Sequence, residues 1–157
     1  MRLSRVSLLA AALVAVCVLS GTALVSARPR AQPRTPEGVV DDYFAALNAG
    51  MRSGDFAAVG ALYAADATLT QSNPQGVTKV FRGREAILGF YRSLRTQLPG
   101  FQWSTERLGQ LAPGVVLAYE RAGSPAMAVP GRCFHVFQVH GGLLQSVHWV
   151  TYYAGHA

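Results

Sequence analysis

The sequence predicts an α+β fold, in which three N-terminal helices lie against a curved, mostly antiparallel sheet that closes around them as a cone. Three observations carry this. Apolar residues recur at helical spacing in the first half of the domain, at Val40, Tyr43, Phe44 and Leu47, at Phe56, Val59, Leu62 and Tyr63, and at Ile87, Phe90, Tyr91 and Leu94. Alternation of period two dominates the second half. The two patterns follow one another instead of interleaving, which segregates helices from strands. A sheet wrapped on helices in this way tends to leave a pocket.

The first segment is an address. Arg2 and Arg5 precede an apolar run from Leu8 to Val25, and Val25-Ser26-Ala27 offers small residues for cleavage after Ala27. Residues 1–27 therefore read as a secretory signal peptide, which makes the mature protein secreted or held in the cell envelope. The alternative is an uncleaved N-terminal membrane anchor, since the run is almost long enough to span a bilayer. A lipid-modified Cys17 is disfavoured because Val16 stands where a small residue is expected.

Residues 28–34, RPRAQPR, form a Pro- and Arg-rich linker without apolar periodicity. The chain carries 14 Lys+Arg against 8 Asp+Glu, but Arg2, Arg5, Arg28, Arg30 and Arg34 all precede Thr35 and no acidic residue does. Nine basic and eight acidic residues remain in the domain, so the high pI does not point to nucleic acid. Cys17 leaves with the leader, and Cys133 then stands alone and cannot close an intrachain disulfide. Residues 35–157 are enough for one domain that holds together by its core.

Within it, Thr35-Pro36 is an N-cap followed by proline at the first helical position. Asn48-Ala49-Gly50 closes the first helix, and Asp55 caps a second. Ala67–Thr70 is a strand, and Gln71–Gly76 is a polar loop. A third helix runs from about Gly83 to Leu98 and stops at Pro99-Gly100. Strands follow at Phe101–Leu111, Val115–Ala122 and Met127–His140, and Gly141-Gly142 turns into a last strand, Leu143–Tyr153.

The segments YFAALNAG at Tyr43 and LYAADATL at Leu62, with FYRSL at Phe90, resemble the nuclear transport factor 2-like superfamily, which includes ketosteroid isomerase and the SnoaL-like polyketide cyclases. The resemblance spans about Pro36 to Tyr153. It implies the cone fold, no cofactor, and often a homodimer. It also implies that Tyr43 matches the tyrosine that donates to a developing enolate oxygen, with Tyr63 and Tyr91 in support. The family's aspartate base is replaced by Gln71, which cannot shuttle a proton at neutral pH. The second aspartate of the oxyanion hole corresponds to His135, able to donate a hydrogen bond or act as acid or base.

Those residues also have a plain reading. Tyrosines on apolar helix faces commonly fill core, and a lone histidine alternating with Cys133, Phe137 and Val139 is often a satisfied pocket residue. His135, His140 and His148 are scattered and unaccompanied by a carboxylate, so no metal site is expected. No Gly-rich phosphate loop or nucleophile elbow is present. The expected pocket is mostly apolar, lined by Tyr43, Tyr63, Gln71, Tyr91, Trp103, His135 and Trp149. The leading function is binding of a small hydrophobic or carbonyl-bearing molecule without efficient catalysis. The competing one is a cofactor-independent isomerase, cyclase or dehydratase using Tyr43 and His135. Apolar residues on both faces of the last strands, Phe134, Val136 and Val150 among them, point to a homodimer through the sheet.

Overall fold

A computed structural model describes residues 34–125, 127 and 130–152. The signal-peptide assignment, most of the linker and Tyr153 lie outside the described residues. Among the described residues no helix is long and apolar enough to cross a membrane.

Helix α1 (Pro36–Ser53) begins where the sequence places it. The Thr35 hydroxyl accepts from the Gly38 N–H at 3.1 Å, satisfying one of the free donors of the first turn. It ends later than expected, because Asn48 and Gly50 serve the packing and not a stop. The Asn48 amide accepts from the Trp103 N–H at 2.9 Å and donates to the Trp103 carbonyl at 2.8 Å, which pins the helix to a strand 55 residues away. Gly50 lets the Phe56 ring close on the helix, since a Cβ there would sit 2.6 Å from Phe56 Cδ1. The stop is Gly54, in the left-handed region at φ 88°, whose N–H reaches the Gly50 carbonyl.

Helix α2 (Ala57–Leu62) is short, and Asp55 caps from one residue outside it, accepting from the Ala57 N–H at 2.9 Å. Tyr63, expected on that helix, instead opens strand β1 (Tyr63–Ser72). Gln71 and Ser72 belong to β1 as well, not to a loop. A strand the sequence reading left out, β2 (Thr78–Arg82), folds back on β1 around Asn73, whose side-chain oxygen accepts from the Gln75 and Val77 N–H groups. Helix α3 (Arg84–Gln97) follows. Its Arg95 donates to the Met51 carbonyl at 3.0 Å, a free acceptor at the end of α1.

Strands β3 (Gln102–Ala112), β4 (Val115–Gly123), β5 (Gly131–His140) and β6 (Leu143–Tyr152) complete one sheet in the order β2-β1-β6-β5-β4-β3. Every pairing is antiparallel except β1 with β6. β5 starts after Pro130 and not at Met127, in keeping with a residue that cannot donate to a ladder. Register shifts in the β1–β6, β3–β4 and β5–β6 pairs bend the sheet, which is curved and unclosed. Its concave face takes the helices on a core that includes Val40, Leu47, Val59, Leu69, Ile87 and Phe137. The convex face carries Tyr119, Phe134 and Tyr152 in ring contact, with Val136 and Val150 half-buried beside them.

Candidate functional site

The concave side of β4 and β5 presents Val116, Ala118, Glu120 and Ala122 opposite Phe137, His135, Cys133 and Gly131. Glu120 faces Cys133 directly and His135 on the diagonal, a spacing that side chains of this length bridge. His135 Nδ1 lies 2.6 Å from Glu120 Oε2, and the Cys133 S–H donates to that same oxygen at 3.4 Å. Glu120 and His135 are 1% and 0% exposed, so the pair has left water completely. The His135 ring lies nearly parallel to those of Phe137 and Trp149, with centroids 5.5 Å away from each, and Phe44 of α1 packs against it at a steep angle. The ring cannot swing to another partner without displacing these neighbours.

The cluster is not satisfied by the protein alone. Glu120 Oε1, His135 Nε2, Trp103 Nε1 and Trp149 Nε1 are all buried without a hydrogen-bond partner. Each such atom costs about 1–3 kcal/mol of desolvation unless something meets it. The Cys133 thiol is pushed up by burial and then by the Glu120 charge. The Trp149 indole opposes that rise, although it makes no hydrogen bond of normal geometry. The thiol is therefore protonated and no nucleophile as it stands.

The three tyrosines form a second cluster of a different kind. The Tyr43 and Tyr91 hydroxyls are 2.6 Å apart and those of Tyr63 and Tyr91 3.2 Å, with all three side chains fully buried. Burial pushes all three up. Hydrogen bonds from its two neighbours hold Tyr91 back, to about 12, while Tyr43 and Tyr63 are raised well above the ordinary tyrosine value. Every hydroxyl has a partner here.

A pocket of about 160 Å³ opens beside the first cluster, lined by Gln71, Leu94, Phe101, Cys133, Trp149 and Thr151 among others. A surface groove of about 540 Å³ between β2 and α3 shares Gln71 and Leu94 with it. Of the seven residues expected to line a pocket, only Gln71 and Trp149 do so. His135 and Trp103 sit directly behind the wall, His135 against Trp149 and Trp103 with its ring 5.8 Å from the Trp149 ring. Tyr43, Tyr63 and Tyr91 line no part of it. Tyr43 is placed as a core hydroxyl bonded to Tyr91, not as a donor to a guest, because α1 and α3 bring the two hydroxyls together and Phe44 and Phe137 pack on the Tyr43 ring.

The sequence reading missed Glu120. It took the histidines to lack a carboxylate, and the β4–β5 register overturns that by setting Glu120 beside His135. A signal was present: in Val115–Ala122 the alternation that puts Val116 and Ala118 inward also puts Glu120 inward. Chemically, a carboxylate that accepts from Nδ1–H fixes the imidazole tautomer and leaves Nε2 free to take or give a proton. The structure also gathers Glu120, Cys133 and His135 so that one ligand atom of each lies within 4.8 Å of the others.

In sequence, residues 40–147 match the SnoaL-like domain family. No curated protein matches the chain. Among solved structures, a proposed SnoaL-like polyketide cyclase from Jannaschia sp. CCS1 superposes with a TM-score of 0.62 at 14% identity, covering 79% of this chain and 90% of that one. A proposed ketosteroid isomerase from Kribbella flavida gives 0.58 at 19% identity, covering 78% and 81%. A protein of unknown function with a cystatin-like fold from Methylobium petroleophilum gives 0.60 at 16% identity, covering 80% and 82%. At these identities the likeness is one of fold, and chemistry has to be argued from the site.

Proposed function

This chain belongs to the SnoaL-like domain family, within the nuclear transport factor 2-like superfamily, and we propose that its cone binds a small hydrophobic molecule bearing a carbonyl or hydroxyl oxygen. The observation that carries this is the pocket bounded by Cys133 and Trp149, with unpartnered buried donors and acceptors in and behind its wall. An apolar cavity beside an unpaired indole N–H selects a guest that fills space and brings one acceptor. At about 160 Å³ the pocket is below the usual range of roughly 300–1,000 Å³, so it suits a single-ring compound and not a four-ring steroid.

Calorimetric titration with single-ring ketones and phenols tests this. Saturable binding by the wild type, lost in a Thr151→Trp variant that fills the mouth, is the expected result. Equal binding by both proteins would remove the pocket from consideration.

A second reading, proton transfer on the bound molecule, is favoured by the Glu120–His135 pair. The isomerase base position holds Gln71, so any such activity would run through His135 Nε2 and not through β1. Turnover abolished by His135→Gln would establish it.

Two further expectations belong to the same proposal. Export rests on the Arg2/Arg5 start and the Val25-Ser26-Ala27 site, and N-terminal sequencing of envelope or medium protein should begin at Arg28. Assembly rests on the half-buried apolar convex face, and light scattering should give a homodimer that Val136→Glu dissociates. A wild-type monomer at tens of micromolar would end that part.

A further inference from the structure

We propose that Glu120, Cys133 and His135 form a binding site for one transition-metal dication, zinc being the natural occupant, with its fourth position facing the pocket. The three supply a carboxylate oxygen, a sulfur and an imidazole nitrogen, a donor set that favours zinc-like ions over magnesium or calcium. Cys133 and His135 stand two apart on β5 and Glu120 faces them from β4, so adjacent strands of one sheet hold all three. No hinge or loop has to close.

The spacings nearly fit. Zinc bonds of about 2.0–2.3 Å imply tetrahedral edges of roughly 3.3–3.7 Å. The Cys133 Sγ to Glu120 Oε2 distance is already 3.4 Å. His135 Nδ1 and Glu120 Oε2, at 2.6 Å, must separate, which exchanges their hydrogen bond for two bonds to the ion, and the Cys133–His135 edge, within 4.8 Å, must settle to the same length.

Two independent features point the same way. Glu120 Oε1 is buried with no partner, and a cation that the carboxylate grips through both oxygens supplies one. Charge also balances. A buried carboxylate, a thiolate, a neutral imidazole and a dication sum to zero, the arrangement a dry interior tolerates best. On binding, the Cys133 S–H bond breaks, the sulfur bonds to the metal and that proton leaves to buffer, while the imidazole loses the proton on Nδ1 and takes one at Nε2, so that it stays neutral. Cys133 lines the pocket, so ion and guest share one route of access.

This goes beyond the small-molecule proposal, and ligand binding measured in excess chelator stands or falls without it. The test is cobalt(II) titration of the full reduced chain, metal-free at the start. The expected result is one equivalent bound with a thiolate-to-cobalt charge-transfer band and tetrahedral visible bands, both bleached by zinc. Cys133→Ser should abolish the charge-transfer band, and His135→Gln or Glu120→Gln, each removing a direct ligand, should weaken binding by more than the roughly 10–100-fold that the loss of an outer-shell partner costs. Cys133→Ser keeps the site's shape, so the test survives even if the Glu120 variant does not fold. Absence of the band in folded wild type, or a band unchanged by Cys133→Ser, would overturn the proposal.

Discussion

Two buried polar clusters share the inside of this cone, and they differ in how completely they are satisfied. Tyr43, Tyr63 and Tyr91 hydrogen-bond one another and leave no hydroxyl without a partner. Glu120, Cys133 and His135, with the two indoles near them, leave four buried atoms unmet and adjoin a cavity. The first arrangement is what a core needs. The second loses stability wherever no guest or ion completes it, which is the pattern of a site. Sequence resemblance pointed at the tyrosines first, and polar bookkeeping points instead at the β4–β5 pair.

The sharpest way to break this contrast is to remove Glu120. Glu120→Leu strands both nitrogens of His135 in the core and should cost about 3–5 kcal/mol in urea unfolding. The double variant Glu120→Leu/His135→Phe removes the whole polar pair and should return to within about 1 kcal/mol of the wild type, or exceed it. A double variant as unstable as the single one would mean that the pair is structural.

For the tyrosines the expected order is different. Tyr91 is the shared partner, so Tyr91→Phe leaves two hydroxyls unmet and should cost at least about 2 kcal/mol. Alkaline pH probes the same cluster. The unfolded tyrosines ionise near pH 10, while burial holds the folded ones well above that, Tyr91 at about 12, so the unfolded state loses protons first. The stability they contribute is fully present below pH 10 and should fall by roughly 1 kcal/mol or more per unit as pH rises towards 12. A flat unfolding midpoint across pH 9–11 would contradict their burial. The smallest effect is expected from Tyr43→Phe, about 0.5–1.5 kcal/mol, because Tyr63 still pairs with Tyr91.

The fold is largely legible in the sequence. Helical and strand periods name all three helices and five of the six strands among the described residues, and Gly141-Gly142 marks the hairpin, with both residues at positive φ. What was not legible has physical causes. Gly50 reads as a stop by composition, but its small size serves the Phe56 ring. β2 sits at the sheet edge with Val77 and Val80 exposed around it, so it shows no buried alternation. Alternation with Val116 and Ala118 already turns Glu120 inward, but only the register of β4 against β5 shows that it lands beside His135. The tyrosine cluster was legible only through the resemblance, which set Tyr63 and Tyr91 in support of Tyr43, because a hydroxyl partner 48 residues away does not show in spacing along the chain.

The central claim is that the open cluster, and not the tyrosine one, meets a guest. The chain has two tryptophans, Trp103 and Trp149, so an amide correlation spectrum of nitrogen-15-labelled protein shows two indole N–H signals. Titration with cyclohexanone in excess chelator should move the Trp149 signal saturably. Tyr43→Phe should leave that titration unchanged, while His135→Gln, which removes the ring backing Trp149, should weaken it by roughly three- to tenfold. A Trp149 signal that stays still in the wild type, or an affinity lost on Tyr43→Phe and kept on His135→Gln, would contradict the account.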